Sequence, residues 1–163
     1  MTDYRAPRDT AGNAVGGWIG WHCEGSHLRS LFALLMWDCI FYPLENVFQT
    51  QFQDAPLDLN YPSFFSSREN VCIAPRLKEI RLMDISELVA EVCSAYRKHY
   101  RLECRPMRWE TPLPELQLVA ASIGSQGLSA ICLALSLNYS AFASGLPDLL
   151  LVRTLAKFAD GST

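Results

Sequence analysis

Apolar residues recur at helical spacing in four separate stretches of this chain, and no other feature constrains its fold as strongly. The four stretches cover residues 25–41, 84–99, 112–124 and 128–139. Within each stretch, apolar side chains lie three or four positions apart, which is the pattern of a helix that buries one face. Pro43 stops the first pattern and Gly124 stops the third, because neither residue type continues a helix well. The sequence therefore predicts a mostly helical chain.

One apolar run near the end departs from this pattern. Leu149 to Val152 follow a Gly-Leu-Pro turn and Asp148, and a short apolar run after a turn is typical of a buried strand. A single strand cannot form a sheet. Either its partner strands lie outside the 163 residues, or the run is not a strand.

The stretch between the first two helices is rich in prolines and aromatic residues. We predict that residues 43–70 form a long ordered loop with one short helical turn. Its packing is expected to come from four phenylalanines, Phe48, Phe52, Phe64 and Phe65.

The composition narrows the class of protein. With 163 residues, half of them hydrophobic, the chain is expected to form one globular domain. Residues 1–16 are predicted to be a flexible lead. The longest apolar run, residues 31–37, is about a third of the length of a membrane-spanning helix, so no membrane partner is expected. The net charge of −3 does not by itself favour a nucleic-acid partner.

Six cysteines are scattered along the chain without any Cys-x-x-Cys pair. Several lie on apolar helix faces, where cysteine behaves as a small hydrophobic residue, so we expect reduced thiols in an intracellular protein. The segment "HCEGSH" brings together His22, Cys23 and His27, but no second cluster completes a tetrahedral zinc site. A Cys–His nucleophile pair lacks any supporting motif. Neither kind of site is favoured.

Two distant carboxylates, Glu24 and Asp148, have the setting of metal ligands. Glu24 precedes the first helix, and Asp148 lies at the entrance of the predicted strand. Carboxylate oxygens suit a hard cation such as Mg²⁺, and one or two such ions commonly assist phosphodiester hydrolysis. From spacing alone, a helix cap at Glu24 or Ser26 and a turn aspartate at Asp148 are the more common roles.

Basic residues cluster once, in the segment "YRKHYRLECRPMR", with two tyrosines interleaved. Arg97, Lys98 and Arg101 are candidates for contacting a nucleic-acid backbone, and Tyr96 and Tyr100 are candidates for stacking on a base. Cations also stabilise the carboxyl end of a helix, and this cluster begins near one. Helix stabilisation is the commoner role of the two.

Three segments in order resemble the nuclease domain of the Fanconi-associated nucleases: "EGSHLRSLFALLMWDCIF", "APLDLNYPSFFSSR" and "GLPDLLL". That domain is a VRR-NUC member of the PD-(D/E)XK superfamily, and the resemblance extends from about residue 17 to 152. It implies an α/β fold, a restriction-endonuclease-like VRR-NUC domain at residues 17–163 whose sheet is incomplete. It also implies a nuclear DNA-repair hydrolase: a 5′-flap endonuclease and 5′–3′ exonuclease of interstrand cross-link repair, of the phosphodiesterase I type.

The resemblance also assigns roles to individual residues. Glu24 and Asp148 match the family's ligands for the catalytic Mg²⁺ or Mn²⁺. DNA with flaps or branches is the implied substrate, and Fanconi-pathway repair proteins are the implied partners.

The chain departs from the family pattern after Asp148. In the family, a second strand carries Glu-x-Lys, with both side chains on one face. Here the only acid after Asp148 is Asp160, and no lysine follows it at the second position. A basic residue usually found shortly before the Gly-x-Pro-Asp turn is also missing. The resemblance therefore predicts a nuclease domain truncated before Glu-x-Lys and inactive as it stands; the alternative is an inactive fragment that only binds DNA or a partner.

Overall fold

The computed structural model describes residues 17–153, so the predicted lead at residues 1–16 lies outside the described part. The described residues fall into two compact units. The smaller consists of residues 17–24 and 147–153, and the larger is Gly25–Leu146.

The smaller unit is a two-stranded antiparallel sheet. Strand β1 covers Trp18–His22 and strand β2 covers Leu149–Arg153. The register pairs Trp18 with Arg153 and His22 with Leu149. The expectation that the final strand lacks a partner within this chain was wrong. The sequence shows no clear alternation in β1, whose partner lies at the other end of the chain, so no local pattern signals the pairing.

Burial in β2 also differs from the prediction of a buried strand. Val152 is 6% exposed, but Leu149 and Leu151 are 55% and 52% exposed. Successive side chains of a strand point to opposite faces, and here one face of β2 is open. A continuous apolar run therefore did not mean burial on both sides.

The larger unit is helical, and its seven α-helices share a core around the longest one. They are α1 Ser26–Leu35, α2 Trp37–Ile40, α3 Ser63–Arg68, α4 Ala74–Leu82, α5 Ile85–Lys98, α6 Leu113–Leu137 and α7 Tyr139–Ser144. A π-helical segment, Glu69–Ile73, joins α3 to α4. Helix α6 contacts α1, α4 and α5. A mostly helical architecture with a small sheet is confirmed.

Helix α1 supplies the centre of this core. Each residue from Leu31 to Met36 is at most 1% exposed. A change of backbone direction at Met36 separates α1 from α2, so the single helix predicted over residues 25–41 is two. Burial of nearly every side chain around α1 explains why its apolar pattern extends beyond one face.

Helix α5 matches its prediction closely. The Asp84 carboxylate accepts from the Glu87 amide at 2.8 Å, and the Glu87 carboxylate accepts from the Asp84 amide at 2.9 Å. This reciprocal arrangement is a capping box, which satisfies amides that the helix leaves unpaired. The helix predicted over residues 84–99 is confirmed, and of the two candidate caps, Asp84 and Ser86, Asp84 is the one that caps it.

Helix α6 contains the break that the sequence indicated. Gly124 has φ 76° and ψ 169°, so the backbone there is not helical. By length and composition alone, this is the one described helix that can cross a membrane. The break at Gly124 divides it into two pieces, each shorter than the roughly 20 residues that a span requires. Its contacts with α1, α4 and α5 are those of a core helix.

The motif between Pro56 and Arg68 has a structural explanation. The fully buried Arg68 guanidinium donates to the Asp58 carboxylate at 2.7 and 3.2 Å, and it lies 4.6 Å from the centre of the Phe64 ring. Phe64 is buried as predicted, but Phe52 is 77% exposed and does not hold the loop. Asp58 and Arg68 thereby tie the loop to α3.

Candidate functional site

Glu24 and Asp148 are neighbours through their backbones. The amides of Cys23 and Glu24 both donate to the Asp148 carbonyl oxygen, at 2.7 and 3.3 Å. These bonds continue the antiparallel ladder by one step, since His22 pairs with Leu149. Pairing of β1 with β2 therefore places Cys23 opposite Asp148, and Glu24, one residue further on, shares the same carbonyl oxygen.

Both residues are exposed to solvent. Their side chains take no part in the backbone bonds that join the two segments. Carboxylates held this way are available to a ligand, and loss of either one leaves the backbone bonds in place.

The backbone at Glu24 is unusual. Its φ is 45°, and Gly25 follows with φ 70°. A non-glycine residue in the left-handed region costs about 1 kcal/mol or more, and such residues cluster at functional sites. Glu24 adopts this conformation two residues after the end of β1.

The first helix does not use either predicted cap. Its N-cap residue is Gly25, and no side chain caps the helix. The prediction that Glu24 or Ser26 caps α1 was wrong, because the left-handed Gly25 occupies the cap position and has no side chain to accept a bond. Glu24 therefore does not act as a helix cap.

Glu24 and Asp148 supply only some of the ligands that a hard cation needs. No described residues form a group of three or more His, Cys, Asp and Glu side chains able to surround a metal ion. Mg²⁺ is commonly held by one or two carboxylates, and waters and substrate phosphates complete its shell. Two exposed carboxylates fit that arrangement, and Asp160 lies outside the described residues.

The other potential ligands of "HCEGSH" have separate surroundings. His22 is exposed and Cys23 is buried. His27 is 4% exposed, and its Nε2 lies 3.0 Å from a Glu115 carboxylate oxygen on α6. His27 is thus part of the helical core.

The predicted basic cluster lies at the carboxyl end of α5 and in the segment after it. Arg97 and Lys98 occupy the last turn of α5, where cations are stabilised by the helix dipole. Lys98 lies 3.9 Å from the Asp38 carboxylate, with both side chains largely exposed. Arg101 has φ 62° and its guanidinium lies 5.3 Å from the Tyr100 ring centre. The structure therefore keeps Arg97, Lys98 and Arg101 on one surface segment.

Sequence reasoning missed the contribution of Trp109 to this surface. Its ring meets those of Tyr96 and Tyr100 edge-on, at centroid distances of 5.1 and 5.6 Å. Its indole N–H donates to the Leu102 carbonyl at 2.8 Å. The signal was present in the sequence, since Trp109 directly follows the basic run, but the periodicity of α5 does not extend that far.

Comparison with known proteins identifies relatives of this chain. The VRR-NUC domain family matches residues 86–158. A Fanconi-associated nuclease 1 homolog of Oryza sativa subsp. japonica is 38% identical over 149 residues, which are 90% of this chain and 15% of the relative. The Schizosaccharomyces pombe homolog is 40% identical over 136 residues, 83% of this chain and 19% of the relative. The chain thus spans less than a fifth of the length of these curated relatives.

A solved structure shows the same fold. The crystal structure of paFAN1 bound to a 5′-flap DNA with a two-nucleotide flap and a gap superposes with a TM-score of 0.72 and 25% sequence identity. The match covers 82% of this chain and 24% of that protein. The predicted resemblance in fold is confirmed.

Proposed function

This chain is a homologue of the Fanconi-associated nucleases, and we propose that it carries the metal-binding part of a structure-specific DNA nuclease. The substrate is DNA with a 5′ flap or branch, and the reaction is phosphodiester hydrolysis dependent on Mg²⁺ or Mn²⁺. Glu24 and Asp148 bind the ion. The setting is interstrand cross-link repair in the nucleus, with Fanconi-pathway proteins as partners.

The observation that carries this proposal is the backbone bond between Glu24 and Asp148. Two acidic residues from opposite ends of the described chain are joined by their backbones at one end of a two-stranded sheet, and both are exposed. A bound divalent ion would supply positive charge to the phosphate and activate water. The chain's own task is to hold both carboxylates in place through the Cys23 and Glu24 amides.

Support for a DNA partner comes from two sources. The similar paFAN1 structures contain 5′-flap DNA. In this chain, Arg97, Lys98 and Arg101 form a basic surface segment that suits a phosphate backbone.

A second candidate function is DNA binding without cleavage. It is favoured by the absence of Glu-x-Lys after Asp148 in the 163 residues, since that motif would complete the metal shell and add a lysine beside the phosphate. We expect the 163-residue polypeptide to bind Mg²⁺ weakly and to leave DNA uncleaved.

One experiment separates these outcomes. The 163-residue protein is incubated with a labelled 5′-flap DNA in Mn²⁺ or in a chelator, and both binding and cleavage are measured for the wild type and Asp148→Ala. The expected result is binding that Mn²⁺ strengthens over the chelator and that Asp148→Ala returns to the level seen in the chelator, without cleavage. Cleavage abolished by Asp148→Ala would show an active nuclease and overturn the prediction of inactivity. Binding that neither metal nor Asp148 affects would contradict the metal site.

A further inference from the structure

Three aromatic rings form one cluster beside the basic residues that follow α5. Tyr96 and Tyr100 lie 5.6 Å apart between ring centres, and Trp109 meets both of them edge-on. Tyr100 is 51% exposed. About half of the surface of this residue is therefore open to solvent, while its ring packs beside two other rings.

Trp109 fixes this arrangement. Its indole N–H donates to the Leu102 carbonyl at 2.8 Å. This bond joins Trp109 to the segment that directly follows α5. A rigid aromatic ring stacks on a ligand at low cost in side-chain entropy, because few rotamers are lost. Tyr100 is thus exposed to solvent beside two packed rings.

The charge of this segment is opposite to that of the remaining chain. Residues 96–110 contain five basic and two acidic residues, whereas the whole chain has a net charge of −3. The rest of the chain is therefore more strongly negative than its total suggests. A polyanion that approaches this protein meets its attractive surface here.

Three of the five cations form no ion pair within the described residues, and one of these three, Arg108, donates instead to the carbonyl oxygens of Arg105 and Met107. Arg105 pairs with Asp54 at 3.0 Å, and Lys98 lies 3.9 Å from Asp38. Arg97 and Arg101 form no ion pair with any residue that the structure describes. Arg101 instead covers part of the Tyr100 ring at 5.3 Å, and guanidinium planes themselves stack on bases.

The backbone of Arg101 adds a further observation. Its φ of 62° is a conformation that favours glycine, yet an arginine occupies it next to the exposed ring. A left-handed residue close after the end of a helix is most often glycine. No ion pair of Arg101 within the described residues offsets the free-energy cost of this backbone conformation.

We propose that this surface, formed by Tyr96, Tyr100, Arg101 and Trp109 with Arg97 beside it, binds single-stranded DNA. Stacking of an unpaired base on Tyr100 and Arg101 supplies one part of the affinity, and phosphate contacts with Arg97 and Arg101 supply the other. Bases within a duplex are already stacked on each other, so an exposed ring favours the unpaired strand. This inference extends the proposed function by naming the form of DNA, but it does not require a metal ion.

The test is fluorescence anisotropy with a labelled oligothymidine of about 12 nucleotides, in a chelator so that Glu24 and Asp148 play no part. Tyr100→Ala is expected to weaken binding at least about fivefold, the loss typical of one stacked base. Tyr100→Phe keeps the ring and is expected to bind like the wild type. Tyr61→Ala is the matched control, because Tyr61 is 63% exposed outside this surface.

Arg101→Gly tests the same surface without altering the ring. Glycine suits the φ of 62°, so the substitution removes the charge without disturbing the backbone. The slope of log affinity against log salt is expected to fall by about 0.7, the value for one phosphate contact in single strands. If Tyr100→Ala lowers the melting temperature, Arg101→Gly is the variant that tests whether this surface binds the oligonucleotide.

Three results would overturn the proposal. The first is a Tyr100→Ala protein that folds and binds the oligonucleotide as tightly as the wild type. The second is a duplex of the same length that binds as tightly as the single strand. The third is a polyglutamate that competes as well as the oligonucleotide, which would indicate charge attraction alone. Since no metal is present, none of these results bears on metal binding by Glu24 and Asp148.

Discussion

The amide of Glu24 donates to the carbonyl oxygen of Asp148, at 3.3 Å, although the two residues lie near opposite ends of the described chain. The Cys23 amide donates to the same oxygen at 2.7 Å. Backbone groups make both bonds, so both carboxylates remain exposed and available. The juxtaposition is a product of strand pairing, and it does not depend on the chemistry of the two side chains.

Gly25→Ala is expected to destabilise the larger unit. Gly25 has φ +70°, and an added Cβ would lie 2.5 Å from the Leu146 Cβ. An alanine at such a position is strained both in its backbone and by the contact, and we expect a loss of at least about 1 kcal/mol in unfolding free energy. Urea denaturation of the wild type and the variant measures this loss.

Gly145→Ala is the matched control for that substitution. Its φ is −98°, and an added Cβ would meet its nearest atoms at 3.7 and 3.8 Å, an ordinary contact. Its unfolding free energy should change by no more than about 0.5 kcal/mol. Equal stability of the Gly25 variant and the Gly145 variant would contradict the geometry of the turn.

Asp58→Ala is expected to be strongly destabilising. It would leave the fully buried Arg68 guanidinium without its carboxylate partner, and an uncompensated buried charge costs about 3 to 5 kcal/mol. Thermal and urea unfolding both report the change.

The exposed pair of Arg105 and Asp54 provides the comparison. Its side chains are 51% and 41% exposed, and an exposed ion pair is worth no more than about 1 kcal/mol. Asp54→Asn should therefore be nearly neutral. If the two substitutions cost the same, the Arg68 pair does not hold the loop as described.

Acidification is expected to destabilise the helical unit through His99. Its ring is 8% exposed and stacks on Trp37 at a centroid distance of 4.0 Å. Burial lowers the pKa of His99 below its ordinary value of 6.5, and the nearby Lys98 charge lowers it further, while Asp38 opposes the shift. The unfolded chain therefore takes up a proton before the folded chain does, and stability falls as the pH drops through about 6.5.

His99→Gln removes this titration, so the variant should lose less stability than the wild type between about pH 7.5 and about pH 5.5. His22→Gln is the control, because His22 is exposed. Melting temperatures over this range provide the measurement. A His99→Gln protein with the wild-type dependence on pH would show that His99 is not responsible.

Local sequence patterns predicted those helix starts and breaks that are set by residues close to them in the chain. The start of α5 follows from Asp84 and its capping box, and the break in α6 follows from a glycine that adopts φ 76°. Helix α4 was not predicted, because its apolar pattern is weak and only Ile80 is buried. Local chemistry indicates where helices begin and break, but not how a segment that buries a single apolar side chain packs.

Local sequence patterns did not predict the pairing of strands that are distant in the chain. Nothing in residues 18–22 indicates that β1 pairs with β2, so the two-stranded sheet appears only in the structure. For the same reason, spacing did not connect Glu24 with Asp148; that assignment came from a family resemblance. Phe52 was expected to pack in the loop but is 77% exposed. Residue type alone therefore did not predict whether a single aromatic side chain is buried.

The central claim is that Glu24 and Asp148 hold one divalent ion, and Mn²⁺ titration followed by electron paramagnetic resonance tests it most directly. The wild type is expected to bind one Mn²⁺ per chain weakly. Glu24→Gln and Asp148→Asn should each weaken that site by at least about tenfold, since loss of even an outer-shell partner typically costs that much, while Asp38→Asn leaves it unchanged. The absence of a site in the wild type, or equal affinity in all three variants, would contradict the account.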